Sequence, residues 1–239
     1  MSSKDVIILG DIHGTIVEFN QLLDKINYDQ KTQRVILVGD LVDRGDDPLG
    51  CIRLARKLNL ECVLGNHESK MLRWRKHELR KHLTGQDNPM QSVNEKRKEE
   101  WESFSQEDLD WMYSLPLTID CGNGWNILHG GLEPKSSFQE QDPEKIIRAR
   151  YIDKNGKAKA LKPDKSMPEE TKFWATVWNG KESVIFGHSV FQEPTFFVNE
   201  NNICVGIDTG CVYGNKLTAY NLTKNKFTFV KAEKAYYKK

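Results

Sequence analysis

Five times along the chain, a short and mostly apolar run ends in a turn that carries Asp, Asn or His. Apolar runs of this length, bounded by turn residues, are typical of buried strands. Loops that follow parallel strands meet at one edge of a sheet, so we expect these polar residues to converge although they lie far apart in the chain. The five runs, each with the turn that follows it, are 5–9 with 10–14, 34–38 with 39–45, 61–64 with 65–68, 125–128 with 129–131, and 183–186 with 187–189.

The second of these turns, GDLVDRG at 39–45, has the densest charge. It places two carboxylates, Asp40 and Asp43, beside the guanidinium of Arg44. Carboxylates at the end of a parallel strand, next to an arginine, suit a site that holds a metal ion and an anion together. The alternative is an ordinary Asp- and Gly-rich turn with surface charges, and the four other turns of the same kind favour the site.

Helical periodicity connects the first three runs. Apolar residues recur at three- and four-residue spacing in 17–26 and in 49–58, which predicts a helix with one buried face in each segment. Strand–helix–strand units of this kind build a right-handed α/β arrangement. Later in the chain we predict a hairpin at 117–128 and a short helix at 141–147. Three antiparallel strands of a second sheet follow within 194–222, and a last strand at 226–230 precedes a frayed tail.

Two segments depart from this pattern within a single domain spanning 1–239. Residues 70–115 are predicted to be a helical cap inserted over the sheet, with Ser105 as the N-cap of its last helix. Basic residues crowd the stretch 70–81; they form either a solvated helix face, which we favour, or a track for a polyanionic substrate. Residues 151–172 are polar and Lys-rich, and we expect an exposed, mobile excursion.

Composition excludes several classes of protein. The 35 basic and 34 acidic residues leave a net charge of +1, so no global field favours nucleic acid or a membrane surface. No apolar run approaches the ~20 residues of a membrane span, and no signal peptide precedes the first predicted strand. The five cysteines are odd in number and lack CxxC spacing, so we interpret them as reduced core residues. We therefore expect a cytoplasmic protein.

The blocks GDIHG, GDLVDRG, GNHE, HGG and GH, in this order, resemble the calcineurin-like metallophosphoesterases, and within them the phosphoprotein-phosphatase branch. The resemblance extends from the first strand to Gly214. It implies an α/β metallo-dependent phosphatase fold, in which two mixed sheets pack as an αββα sandwich with a small helical cap. Further segments resemble the ApaH-like subgroup, which is related to bacterial bis(5′-nucleosyl)-tetraphosphatases; they are 132–142, 148–151, 174–180 and 206–214.

The resemblance implies two divalent metal ions. Asp40 bridges them, and the other ligands are Asp11 and His13 for one ion and Asn66, His129 and His188 for the other. Mixed carboxylate, amide and imidazole donors suit Mn²⁺, Zn²⁺ or Fe²⁺/Fe³⁺, and do not suit a Ca²⁺ site made only of oxygen ligands. In such sites a hydroxide that bridges the ions attacks phosphorus in line, without a covalent enzyme intermediate.

The resemblance also implies an acid and a phosphate clamp. His67 would protonate the leaving oxygen, with Asp43 orienting its ring, and a carboxylate at an imidazole does fix the tautomer and stabilise the protonated form. Arg44 and Asn66 would contact the phosphate. From spacing, we assign a second phosphate contact to Arg150 or, less directly, to Arg148.

Three functions follow from these residues. The ApaH-like segments and the basic run favour hydrolysis of a phosphoanhydride, in a dinucleoside polyphosphate, in inorganic polyphosphate or in the nucleotide cap of RNA. A serine/threonine protein phosphatase, acting on a phosphoprotein, shares all five blocks and is the alternative. A non-catalytic binding module is the third, but no ligand position is substituted here.

Overall fold

Two five-stranded mixed sheets pack face to face in the computed structural model, which describes residues 4–90, 93–159, 161 and 166–238. In spatial order, the first sheet consists of β13 (Lys226–Lys231), β12 (Lys216–Asn221), β1 (Asp5–Leu9), β2 (Gln33–Leu37) and β3 (Glu61–Cys62). The second consists of β10 (Thr195–Val198), β11 (Ile203–Gly206), β9 (Ser183–Phe186), β5 (Trp125–Leu128) and β4 (Thr118–Gly122). Buried Ile8 and Ile36 of the first sheet meet Ile127 and Ile185 of the second.

Helices cover the outer faces of the sheets. They are α1 (Ile16–Lys25), α2 (Pro48–Lys57), α3 (Asn66–Thr84), α4 (Glu95–Glu102), α5 (Gln106–Tyr113) and α6 (Pro143–Ile146). The first five share one core with β1 and β2, whereas α6 packs with Trp174 and Trp178 against the second sheet. This arrangement confirms the predicted αββα sandwich. Among the described residues, no helix is both long enough and apolar enough to cross a membrane.

The helices of 70–115 belong to the first core rather than standing apart from it. Trp74 of α3 and Trp101 of α4 pack with ring centroids 5.6 Å apart, and both are buried. The predicted N-cap at Ser105 is confirmed as a capping box with Asp108. The Asp108 carboxylate also pairs with Arg53 and Arg56 of α2, which joins the predicted cap to the first βαβ unit.

Two predictions of sheet membership are wrong. The five polar turns leave strands of two sheets, because β5 and β9 belong to the second sheet and not to the sheet of β1 to β3. Segment 217–222, predicted in the second sheet, forms β12 in the first, antiparallel to β1 with Leu9 opposite Ala219. β12 is buried along nearly its whole length, so its periodicity does not indicate which sheet it joins.

Two segments predicted to lack order have regular contacts. Within 151–172, the strands β6 (Tyr151–Asp153), β7 (Ala158–Lys159) and β8 (Thr171–Phe173) form a small antiparallel sheet; residues 160 and 162–165 of this segment lie outside the described residues. The tail predicted to be frayed is held by the backbone N–H groups of Tyr236 and Tyr237, which both donate to the carbonyl of Val212. That prediction is wrong for residues 232–238.

Candidate active site

Asp40 lies at the centre of the residues that the five turns bring together. Its carboxylate Oδ2 is 3.2 Å from Nε2 of His129, 3.5 Å from Nε2 of His13 and 3.9 Å from Nε2 of His67. Two groups of metal-ligating side chains share this carboxylate: His13, Asp40 and His67 form one, and Asp40, His129 and His188 form the other. Sequences far apart in the chain therefore meet at one carboxylate, as the recurring turns predict.

The histidine rings are held so that one nitrogen of each faces the centre. Nδ1 of His13 donates to the carbonyl of Val42 at 2.9 Å, and Nδ1 of His129 donates to that of Val38 at 2.7 Å. Nε2 of His188 donates to the carbonyl of Arg148 at 3.2 Å, which leaves its Nδ1 as the acceptor. A second nitrogen fixed by a backbone carbonyl is the usual support of a metal-binding histidine.

The environment of these rings fits a cation. Burial and the charge of Arg44 hold the pKa of His13 well below its usual value, and burial and Arg150 do the same for His188, so both rings are neutral and able to donate a lone pair. At His129, burial opposes protonation, but the Asp40 carboxylate raises the pKa above its usual value. Nε2 of His129 faces both this carboxylate and Oδ1 of Asn66, at 3.0 Å. A divalent ion would satisfy all three donor atoms.

Asp11 joins the two sheets at the site. Its carboxylate oxygens accept the backbone N–H of His188 at 3.0 and 3.2 Å, although Asp11 follows β1 and His188 follows β9. A Cβ at Gly187 would lie 2.0 Å from Asp11 Oδ1, so only glycine permits this approach. Burial, with the neighbouring charges of Asp208 and Asp40, raises the pKa of Asp11 well above its usual value. Asp11 is next to the two groups that share Asp40 and belongs to neither.

His67 and Asp43 form a hydrogen-bonded pair beside the shared carboxylate. Nδ1 of His67 donates to Asp43 Oδ2 at 2.5 Å. Asp43 is fully buried, and its Oδ1 accepts from Nε1 of Trp101 at 2.9 Å and is paired with Nε of Arg97 at 3.2 Å. Burial disfavours the ionised carboxylate, but these contacts, led by that of His67, lower the pKa of Asp43. Sequence reasoning missed Trp101 and Arg97, because nothing in the Lys- and Glu-rich helix α4 marks them.

Glu68 holds the turn that carries Asp40. This fully buried carboxylate accepts the backbone N–H groups of Asp40, Leu41 and Val42 at 3.0, 2.7 and 3.1 Å. The backbone passes close by at Gly65, where a Cβ would lie 2.3 Å from the backbone nitrogen of Asp40. Glu68 was not among the predicted site residues, although it is the last residue of the GNHE block.

Backbone strain is concentrated at the site. Ten described non-glycine residues have positive φ, and four of them are asparagines, which tolerate it best. Five of the other six are predicted site residues: His13 (48°), Asp40 (53°), Asp43 (70°), Arg44 (75°) and His188 (64°). Such conformations cost about 1–3 kcal/mol each and persist where the surroundings enforce them, often at functional sites. Here the buried Glu68 carboxylate and the packed loops provide that support.

Arginines border the site on the open side. Arg44 reaches across it, with Nη1 2.6 Å from Nε2 of His13 and Nη2 2.9 Å from Nε2 of His67. Arg150 donates through Nη2 to the carbonyl of His188 at 2.5 Å and through Nε to Ser189 at 3.3 Å. Burial, and then the charge of Arg73 of α3, lower the pKa of the Arg148 side chain. The backbone carbonyl of Arg148 accepts the hydrogen bond from His188.

A groove of about 660 Å³ opens over these side chains. Its lining combines the charged and polar groups of the site with apolar and aromatic residues. The lining residues used below are Asp40, Arg44, Asn66, His67, Arg150, His188, Tyr213 and Tyr237. Mixed polar and aromatic walls around a strongly charged floor suit a small phosphorylated molecule.

Known proteins resemble the chain along nearly its whole length. The sequence profile of the calcineurin-like phosphoesterase family matches residues 4–192. The asymmetrical bis(5′-nucleosyl)-tetraphosphatase PrpE of Oceanobacillus iheyensis is 28% identical, covering 93% of this chain and 90% of that one. The symmetrical bis(5′-nucleosyl)-tetraphosphatase of Haemophilus ducreyi is 26% identical, covering 90% and 94%. A crystal structure provisionally assigned as a diadenosine tetraphosphatase superposes with a TM-score of 0.77 at 27% identity, covering 96% and 94%.

These similarities agree with the arrangement of the side chains. The family profile spans all five turns and ends three residues after the fifth. The family uses divalent metal ions, for which the residues around Asp40 are suited. The relatives named as tetraphosphatases are enzymes, so a non-catalytic binding module is set aside. The resemblance drawn from the sequence motifs is confirmed: the chain belongs to the calcineurin-like phosphoesterases and is a metal-dependent phosphatase.

Proposed function

We propose that the chain hydrolyses a phosphoanhydride bond of a dinucleoside polyphosphate at a site that holds two divalent ions. The observation that carries the proposal is the sharing of the Asp40 carboxylate by two groups of metal-ligating side chains at the floor of a groove bordered by arginines. The names of the relatives, symmetrical and asymmetrical tetraphosphatases, support this substrate class.

The metal ligands are assigned as the motif resemblance implies. Asp11 and His13 would hold one ion, Asn66, His129 and His188 would hold the other, and Asp40 would contact both. Mn²⁺, Zn²⁺ and iron all suit this donor set. When bound, the ions supply Lewis-acid polarisation of the phosphoryl group and activation of the attacking water. The neutral state of His13 and His188 supports their assignment, because a protonated imidazole has no free lone pair.

His67 is the proton donor in this proposal. Asp43 occupies its Nδ1, so that the proton delivered to the leaving oxygen is carried on Nε2, the nitrogen that faces Asp40 and Arg44. The lowered pKa of Asp43 keeps a negative charge beside the ring, where the carboxylate orients the imidazole through its Nδ1. Arg44 and Arg150 line the same groove and would bind non-bridging phosphate oxygens.

A cluster of cations supports a substrate with several phosphates. Burial, and then the neighbouring Arg97, lower the pKa of Lys70, and Arg73 and Arg148 act on it in the same direction. Lys70 and Arg73 lie on the first turns of α3, which begins at the site residue Asn66. Like charges held together repel one another, and a polyanion relieves this repulsion. Lys70 and Arg73, at the start of the basic run, would therefore contact the phosphates of such a substrate.

A substrate panel tests the proposal. The purified enzyme with Mn²⁺, Zn²⁺ or Co²⁺ would be offered diadenosine tetraphosphate, inorganic polyphosphate, capped RNA, a phosphoserine peptide and an aryl phosphate. We expect the highest kcat/KM for diadenosine tetraphosphate, and the products, ATP with AMP or two ADP, reveal which bond is cut. Rapid cleavage of the phosphopeptide with the tetraphosphate left intact would overturn the proposal in favour of a protein phosphatase.

A further inference from the structure

The tail segment 232–238 is fixed against the body of the protein. The hydroxyl of Tyr236 donates to the carboxylate of Glu18 at 2.9 and 3.0 Å, and the backbone N–H of Glu233 donates to the same carboxylate at 2.8 Å. Glu18 is fully buried in α1. Because a buried carboxylate needs these donors, the segment has one preferred position, and that position determines where Tyr237 lies.

Tyr237 lies at the edge of the active-site groove, opposite Tyr213. The two ring centroids are 6.2 Å apart, with the rings inclined by 70°. Cζ of Arg44 is 5.5 Å from the centroid of Tyr213 and 5.8 Å from that of Tyr237. Both rings line the groove together with Asp40 and His67. Tyr237 remains 44% exposed, so much of its ring is open to a ligand.

We infer that Tyr213 and Tyr237 form a subsite for the nucleobase of a nucleotide substrate, beside the phosphate contact of Arg44. This inference rests on the proposed function for the position of the phosphate. Aromatic rings stack on any of the nucleobases, because every base has a planar π-face. The guanidinium of Arg44 lies against the two rings in a cation–π contact. Its Nη1 and Nη2 groups point to His13 and His67, where the proposed function places the phosphates. In a nucleotide only the ribose separates the base from the first phosphate. If Arg44 binds that phosphate, the base would lie against the neighbouring rings of Tyr213 and Tyr237.

The experiment compares two ligands that differ only by adenosine. Binding of adenosine 5′-(α,β-methylene)diphosphate and of methylenediphosphonate to the Mn²⁺-loaded enzyme would be measured by calorimetry, for the wild type, Tyr237→Leu and Tyr237→Phe. We expect Tyr237→Leu to weaken the adenosine ligand about tenfold, to change methylenediphosphonate less than twofold, and Tyr237→Phe to preserve both affinities. Tyr237→Leu keeps the backbone N–H that anchors the segment.

Two results would overturn the inference. Equal weakening of both ligands would show that Tyr237 acts by positioning Arg44, and unchanged binding of both would show that the ring contacts neither. Failure of the proposed function has a different signature, since the wild type would then leave diadenosine tetraphosphate intact in the substrate panel. Ring-dependent binding of the adenosine ligand would still support the subsite in that case.

Discussion

The indole N–H of Trp101 donates to Asp43 Oδ1 at 2.9 Å, while the other oxygen of the same carboxylate accepts from His67. Trp101 belongs to α4, in the region that interrupts the α/β pattern, and it is completely buried against Trp74. The helical insertion therefore does more than cover the sheet, because it fixes the carboxylate that orients the proposed acid.

Replacing Trp101 with Phe should slow turnover without loss of metal. The ring is largely retained, but Asp43 loses a donor that lowers its pKa, so that pKa rises. Protonation of Asp43 then begins at higher pH, and the acidic limb of the kcat profile should move upward. We expect kcat to fall about tenfold or more, since a hydrogen bond to a charged group contributes about 1.5–3 kcal/mol. The profile would be measured from about pH 4 to pH 9, alongside metal analysis.

Trp174→Phe is the matched control for this change. Trp174 is also fully buried, but its Nε1 is without a hydrogen-bond partner among the described residues, and it packs in the core of the second sheet. Its substitution should leave the pH profile unchanged. An identical shift in both variants would mean that the effect of Trp101 is one of packing and not of the hydrogen bond.

His67→Asn should remove most turnover while the metal content stays at the wild-type level. In our assignment this side chain carries a proton and is not a ligand, and loss of a general acid lowers rates about 10²–10⁴-fold. The loss should be smaller for an anhydride than for a serine phosphate, since a leaving phosphate is the weaker base.

Asp40→Asn is the comparison, because Asp40 is shared by both groups of ligating side chains and its loss should empty the site. The metal content of the two variants would be measured by mass spectrometry. His67 also belongs to one of these groups, so equal metal loss in the two variants would make His67 a ligand and contradict its role as acid.

Glu100 should make the protein less stable as the pH rises. Its Oε1 is buried without a partner among the described residues, and burial, then Asp43, raise its pKa to about 7. The folded state therefore binds a proton more tightly than the unfolded state, and the free energy of unfolding falls as the pH rises from about 4.5 to about 7. Glu100→Gln should stabilise the protein at pH 8 by about 1 kcal/mol, less than the full shift because the side chain is partly exposed.

Urea denaturation at pH 5 and pH 8, with EDTA present, measures this effect. Glu102→Gln is the control, since Glu102 is an exposed residue of the same helix and its substitution should not change the pH dependence. If Glu100→Gln has the same stability difference between pH 5 and pH 8 as the wild type, the unpartnered carboxylate is not the cause.

Tyr236→Phe should loosen the segment 232–238. The change removes a donor from the buried Glu18 carboxylate, which costs about 1.5–3 kcal/mol for a hydrogen bond to a charged group. Amide hydrogen exchange should become faster at positions 236 and 237, whose N–H groups donate to the carbonyl of Val212. Tyr28→Phe removes a hydroxyl that donates to the carbonyl of Leu58 at 3.2 Å, and should leave exchange in the segment unchanged. Unaltered exchange in Tyr236→Phe would show that the backbone contacts alone hold the segment.

Local signals in the sequence predicted most of the framework and the centre of the site. Apolar periodicity marked β1, β2 and α1 to within a residue, and the Ser105 N-cap was readable because a capping box spans only four positions. The five polar turns were recognisable because each combines a strand end, a glycine and a side chain able to bind a metal.

The parts that the sequence did not reveal depend on distant partners. Trp101 meets Asp43 across 58 positions, and Tyr236 meets Glu18 across 218. A tryptophan or tyrosine in a charged segment gives no local sign of such a partner. β12 was placed in the wrong sheet for a related reason: a strand buried on both faces lacks the alternation that would indicate its neighbours.

The contact between Asp11 and the backbone of His188 joins positions 177 residues apart and two different sheets. In our assignment neither sheet alone contains the complete set of ligands, so affinity for metal would arise only when the two sheets have docked. Bringing such distant positions together costs loop-closure entropy. A bound metal would offset part of this cost, because it favours docked sheets over undocked ones, and the ions would stabilise the sandwich as well as serve its chemistry.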